Sequence, residues 1–195
     1  HVGTKLSEEE LPLRIWYADT ILRYQDKEDI SKNEFFQTGA ELIGKQGPDA
    51  DLEILTLLIN TLTRLNLPGV FLHIGSRALF NDLFEEFEHD DQTKLRYAVI
   101  DRESEPFHTI LSRYNWSEQS IQFCIQLFRT IGTVESVEEL ISYGERAGCL
   151  SDTAKEHMRY LVEIVTVLKK LDRCIPIRID FSEIGTMPYH TGIVF

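Results

Sequence analysis

Gln37 and Glu41 stand four residues apart in 34-EFFQTGAELIG-44, with Gly39 midway between them. The stretch has the apolar and aromatic content of a β-strand, in which alternate side chains share a face. Phe35, Gln37, Gly39, Glu41 and Ile43 then lie on one side, and Phe36, Thr38, Ala40 and Leu42 on the other. A carboxamide, a bare backbone and a carboxylate are unusual neighbours for a packed row. Either that face looks at water, or it is the floor of a pocket that recognises something small.

Other chemistry-bearing residues are scattered. None of the six histidines (His1, His73, His89, His108, His157, His190) has a second histidine or a cysteine at metal-ligand spacing, so no metal site is assigned. There is no Gly-rich phosphate loop and no GxSxG elbow. Cys124, Cys149 and Cys174 are odd in number and far apart, and read as reduced, mostly buried thiols of a cytoplasmic protein. The stretch 79-LFNDLFEEFEHDD-91 reads as an acidic amphipathic helix with a solvated face, or alternatively a docking surface.

The elements that must position these residues follow from periodicity. Residues 14–24 and 33–44 form two strands of a long antiparallel hairpin, joined by the polar 25-QDKEDISK-32. Residues 47–69 have an acidic first turn, apolar positions at Leu52, Leu55, Ile59, Leu62 and Leu65, and a terminal Pro68-Gly69, which mark an amphipathic helix. A short strand is expected at 70–76, then a mainly helical block to Lys170 with helix starts near Ser117, Val134 and Ser151. Strands return at 174–182 and 189–195. The order implies an α/β (α+β) fold on a mostly antiparallel sheet with flanking helices and a helical insertion over 76–172.

The 195 residues suit one domain or a core with a large insertion, at 43% hydrophobic and 27% charged residues. A formal charge of -12 disfavours extended nucleic-acid or anionic-membrane surfaces, which need a basic footprint. No apolar run approaches the roughly 18 residues of a membrane span. The chain begins at His1 and stops in the apolar run GIVF, and is expected to be a fragment of a longer protein.

The segment 14–58 resembles the second signature motif of class II aminoacyl-tRNA synthetases in the histidyl form. In that family an arginine ends the first strand, and a glutamine and a glutamate four residues apart line the second; Arg23, Gln37 and Glu41 stand at matching positions. The terminal 189-YHTGIVF-195 resembles the family's histidine-binding Tyr-Tyr-Thr-Gly strand, with Tyr189 kept and His190 replacing the second tyrosine. The resemblance makes the chain a partial class II core domain, with the family's first motif expected upstream and its third downstream. It also implies a histidine pocket of Arg23, Gln37, Glu41, Tyr189 and His190. In it Glu41 would accept the ammonium, Gln37 would bond polar groups, and Gly39 would let ligand approach the sheet.

Two departures weigh against catalysis. Between Arg23 and Arg64 there is no arginine, whereas the family clamps ATP phosphates from that loop. The family's Arg-Gly-Leu-Asp stretch is replaced by 182-SEIGTMPYH-190, which puts Ile184 or Gly185 where the activating arginine would lie. Without both cations an adenylate-forming reaction loses its charge stabilisation. The pattern is similar to the regulatory subunits of ATP phosphoribosyltransferase, the first enzyme of histidine biosynthesis. That resemblance implies a non-catalytic cytoplasmic subunit without a cofactor, self-associating and assembled with short-form catalytic subunits into a hetero-octamer, with L-histidine as feedback effector. A histidyl-tRNA synthetase fragment and a ligand-free scaffold remain as alternatives.

Overall fold

The computed structural model describes residues 11–22, 34–171, 175–185, 187 and 189–195. Thirteen elements occur among them in the order β1 (Leu13–Leu22), β2 (Glu34–Ile43), α1 (Pro48–Leu65), β3 (Leu72–Ser76), α2 (Arg77–Leu83), α3 (His89–Ile100), α4 (Glu105–Arg113), α5 (Glu118–Arg129), β4 (Ile131–Gly132), α6 (Val134–Ala147), α7 (Asp152–Lys170), β5 (Ile177–Asp180) and β6 (Ile193–Val194). The chain divides into two compact units, His1–Asn60 and Thr61–Phe195.

In the first unit β1 and β2 pair antiparallel along all ten residues, from Leu13 opposite Ile43 to Leu22 opposite Glu34. The register places Ile15, Tyr17, Asp19 and Ile21 on the face shared with Gln37, Gly39 and Glu41. Most of that face is half-buried; the opposite face, with Trp16 and Phe36 at 78% and 72% exposure, is open. At its start α1 has Asp49 and Asp51, which suit the positive end of the helix dipole.

The second unit is built on a sheet of order β4-β5-β3-β6. β3 and β5 run parallel; β4 with β5 and β3 with β6 run antiparallel. One face carries Leu72, Ile74, Ile177 and Ile179, all buried, and α7 packs on these two strands. The buried residues of α7 (Ala154, Met158, Leu161, Ile164, Val165, Leu168) recur at helical spacing and form one stripe. Ser117 and Ser151 cap α5 and α7 as expected, and Thr133 caps α6, whose first residue is Val134.

Residues 79–91 do not form one helix. α2 stops at Leu83 and α3 starts at His89. Phe84 and Phe87 turn inward to join Phe80, Trp116, Tyr114 and Phe128, with Phe87 stacked on Tyr114 at 3.8 Å between centroids. The Gln92 side chain donates to the carbonyls of Phe84 and Phe87 at 2.9 Å, replacing helical partners. Nor is the acidic face wholly solvated: Asp91 is buried and accepts from Arg113 Nη2 at 2.7 Å and from the Tyr114 hydroxyl at 3.2 Å. The two last strands are also shorter than the apolar runs. β5 ends at Asp180 because its carboxylate accepts from Ser182 N–H at 3.0 Å and turns the chain. Of 189–195 only Ile193–Val194 is strand, since His190 N–H closes a turn onto Met187 O at 3.3 Å.

Candidate functional site

The expected site residues fall into both units. Gln37 and Glu41 lie on β2 in the first, Tyr189 and His190 before β6 in the second, and Arg23 lies outside the described residues.

On the hairpin, Tyr17 sits opposite Gly39 and its ring lies across the glycine. A Cβ at Gly39 would come within 2.5 Å of the Tyr17 ring carbon that bears the hydroxyl. The room over this glycine is therefore filled by a cross-strand aromatic ring, rather than left for a ligand to approach the sheet. Gln37 Nε2 donates to the Tyr17 hydroxyl at 2.7 Å. Among the described residues that bond leaves the Gln37 carbonyl and the Tyr17 O–H without a further partner. Glu41 is exposed and has no ion pair among the described residues. Nearby, a groove of about 290 Å³ is lined by Trp16, Ala40, Glu41, Leu42, Ile54 and Leu57, with Arg14 and Glu53 paired beside them. The Arg14 guanidinium holds the Glu53 carboxyl below its usual range by hydrogen bonding.

In the second unit Tyr189 and His190 form an edge-on pair, with ring centroids 5.0 Å apart at 90°. Tyr189 is mostly exposed; the His190 ring is half-buried, and its Nδ1 is buried without a hydrogen-bond partner among the described residues. The reason lies at Gly185. It adopts φ +68°, the left-handed region, and a Cβ there would overlap His190 Nδ1 and lie 3.2 Å from Cε1. Position 185 cannot carry an arginine while His190 keeps this place.

A cation that sequence reasoning passed over does lie beside this turn. The Arg77 side chain is buried, at 6% exposure for the residue, and Nη1 donates to Ile184 O at 3.3 Å and Gly185 O at 3.2 Å. Burial pushes its pKa below the usual arginine value. One signal was available: Arg77 opens α2, the helix end where a positive charge is disfavoured. A second buried polar centre secures the preceding turn. Asp180 Oδ2 takes Arg102 Nη2 at 2.9 Å and His73 Nδ1 at 3.0 Å, while Oδ1 accepts from the Ser182 hydroxyl at 2.7 Å.

Comparison with known proteins agrees with this architecture. The family model described as histidyl-tRNA synthetase matches residues 2–195. An ATP phosphoribosyltransferase regulatory subunit from Ruminiclostridium cellulolyticum is 24% identical over 195 residues, covering 99% of this chain and 45% of the relative. A crystal structure of an ATP phosphoribosyltransferase regulatory subunit/histidyl-tRNA synthetase from Bacillus halodurans superposes with a TM-score of 0.77 at 23% identity, over 98% of this chain and 49% of that one. The HisG:HisZ complex of ATP phosphoribosyl transferase from Thermotoga maritima contains a chain with a TM-score of 0.69 at 17% identity, over 93% of this chain and 61% of that one. The chain thus spans about half the length of the curated relatives it matches. The mixed α/β fold expected from the element order is the histidyl class II synthetase-like fold of these neighbours, and the chain belongs to the histidyl-tRNA synthetase family.

Proposed function

We propose that this chain is part of a regulatory subunit of ATP phosphoribosyltransferase, acting in the first step of histidine biosynthesis and having no catalysis of its own. Its partner is the short-form catalytic chain, it self-associates, and it works in the cytoplasm. L-Histidine is its effector, contacted by Arg23, Gln37, Glu41, Tyr189 and His190. The single observation that carries the non-catalytic half of this reading is Gly185. Its left-handed backbone and the His190 ring against it leave no volume for a cationic side chain at 185, one of the two positions where the resemblance expects the activating arginine, and the other, 184, holds a buried isoleucine. Arg77, the cation nearest that turn, has its Nη1 donors directed at backbone carbonyls and its Nε at Asn81. The absence of arginine between Arg23 and Arg64 points the same way for the phosphate clamp. Relatives named as regulatory subunits support the regulatory half.

Feedback of this kind needs histidine to prefer one of at least two arrangements of the complex. The test is to reconstitute the full-length protein with its catalytic partner and titrate histidine against phosphoribosyl transfer, with Gln37→Ala and Glu41→Ala alongside. Inhibition should weaken in both variants. Full inhibition surviving in both would place the feedback site on the other chain. Histidine-dependent ATP–pyrophosphate exchange, proportional to protein concentration, would instead favour the synthetase reading.

A further inference from the structure

Three consecutive residues at the end of β3 organise the segment that runs from β5 to β6. Gly75 lies beneath the turn after β5, where a Cβ would overlap Glu183 O and come within 2.5 Å of Asp180 O. Ser76 pairs with Ile193 and caps α2 by accepting the Leu79 N–H at 3.1 Å. Arg77 reaches both ends of the loop that carries Tyr189 and His190. Its main-chain N–H donates to Gly192 O at 2.9 Å, while its guanidinium Nη1 donates to Ile184 O and Gly185 O. Nε is held by Asn81 Oδ1 at 2.9 Å, one helical turn on, and the guanidinium lies 5.4 Å from the Phe80 ring centroid.

A buried guanidinium is an expensive way to fill space. It has no carboxylate within ion-pair distance among the described residues, and Arg96 is a further positive charge acting on it. An apolar side chain of similar length would avoid the desolvation cost of a buried ion. Among the described residues the charge is met by the loop carbonyls, Asn81 and the face of the Phe80 ring, so the side chain and the loop geometry depend on each other. We propose that Arg77 is the positioning residue of the Tyr189–His190 loop, fixing residues 184–185 with its side chain and residue 192 with its main chain. His190 is thereby held against Gly185. The consequence for ligand binding rests on the histidine reading above; the clamp itself does not.

The experiment uses full-length protein with Arg77→Met and Arg77→Lys. Hydrogen exchange is followed by mass spectrometry in peptides covering 182–195 and, as reporters of global opening, in peptides of α7. Histidine affinity is measured by calorimetry. The clamp predicts faster exchange in 182–195 of the Met variant with α7 little changed, and histidine binding weakened by roughly tenfold or more, as for loss of charge-assisted hydrogen bonds. Lysine keeps the charge but lacks the planar fork that holds Asn81 and the two carbonyls together, and should fall between wild type and Met. Unchanged exchange in 182–195, or equal acceleration there and in α7, overturns the positioning role. Local acceleration with unchanged histidine affinity also overturns it as a role in binding. If wild-type protein binds no histidine, the effector reading fails, and the exchange data alone decide the clamp.

Discussion

Gly185→Ala isolates the contact on which the non-catalytic reading rests. Two costs can be worked from the geometry. The first is conformational: at φ +68° an L-residue is less stable than glycine by about 1–2 kcal/mol. The second is steric, because the new methyl would overlap His190 Nδ1 and sit 3.2 Å from Cε1. Displacing a ring from a filled site costs about 1–3 kcal/mol. The ring cannot simply be met by a shift of Gly185, whose carbonyl is held by Arg77. The sum is about 2–5 kcal/mol of folding stability. Equilibrium urea unfolding of the full-length protein, Gly185→Ala, His190→Ala and the double variant separates the two terms. In the His190→Ala background only the conformational part should remain, so the cycle should return a coupling of about 1–3 kcal/mol between neighbours. If Gly185→Ala costs the same with and without the His190 ring, the ring is not what excludes a side chain at 185. The argument against an arginine there would then be wrong.

Two further outcomes test the frame around the site. Phe84→Ala should destabilise by about 3–5 kcal/mol, since the ring is fully buried among Phe80, Phe87, Trp116 and Phe128; a loss under about 1 kcal/mol would mean that 84–88 is not a core-forming break between helices. Asp91 has its carboxyl lowered chiefly by the Arg113 hydrogen bond, so its contribution is present above the unfolded carboxylate value, about 4, and fades as pH falls through the lower folded value. Asp91→Asn should lower stability at neutral pH and flatten its decline on the acid side; parallel acid slopes by urea titration would remove Asp91 from that role.

Much of the first unit was legible because its signals are local. A period of two fixes the faces of β1 and β2 and the bounds of β2 to within a residue, and in the second unit the caps at Ser117 and Ser151 need only their own first turns. What failed did so where a distant partner decides. The helix expected over 79–91 breaks because Phe84 and Phe87 have aromatic partners about thirty to forty residues away, a preference no local propensity carries. Gly39 looked like access for a ligand, but its neighbour across the hairpin fills the space; only the register reveals that Tyr17 is that neighbour.

The same reasoning applies to the end of the strand before the helical block. Residues 70–76 have the pattern of a short buried strand, and nothing in that pattern indicates what the strand's end supports. Arg77 contacts Ile184 and Gly185 across 107 and 108 residues of chain. A hydrogen bond closed over such a loop leaves no period in the sequence, only a residue that conflicts with its local setting. Here that conflict is a cation at the first position of α2 and buried, where both the helix dipole and desolvation disfavour it. Such a conflict is expected where a residue serves something other than its own helix. In this chain it lies beside the turn where the His190 ring packs against Gly185. The helical block between β3 and β5 therefore begins at the residue that clamps the returning segment. Any replacement of Arg77 should be felt first in the loop that carries His190, before it is felt in the helical block that follows.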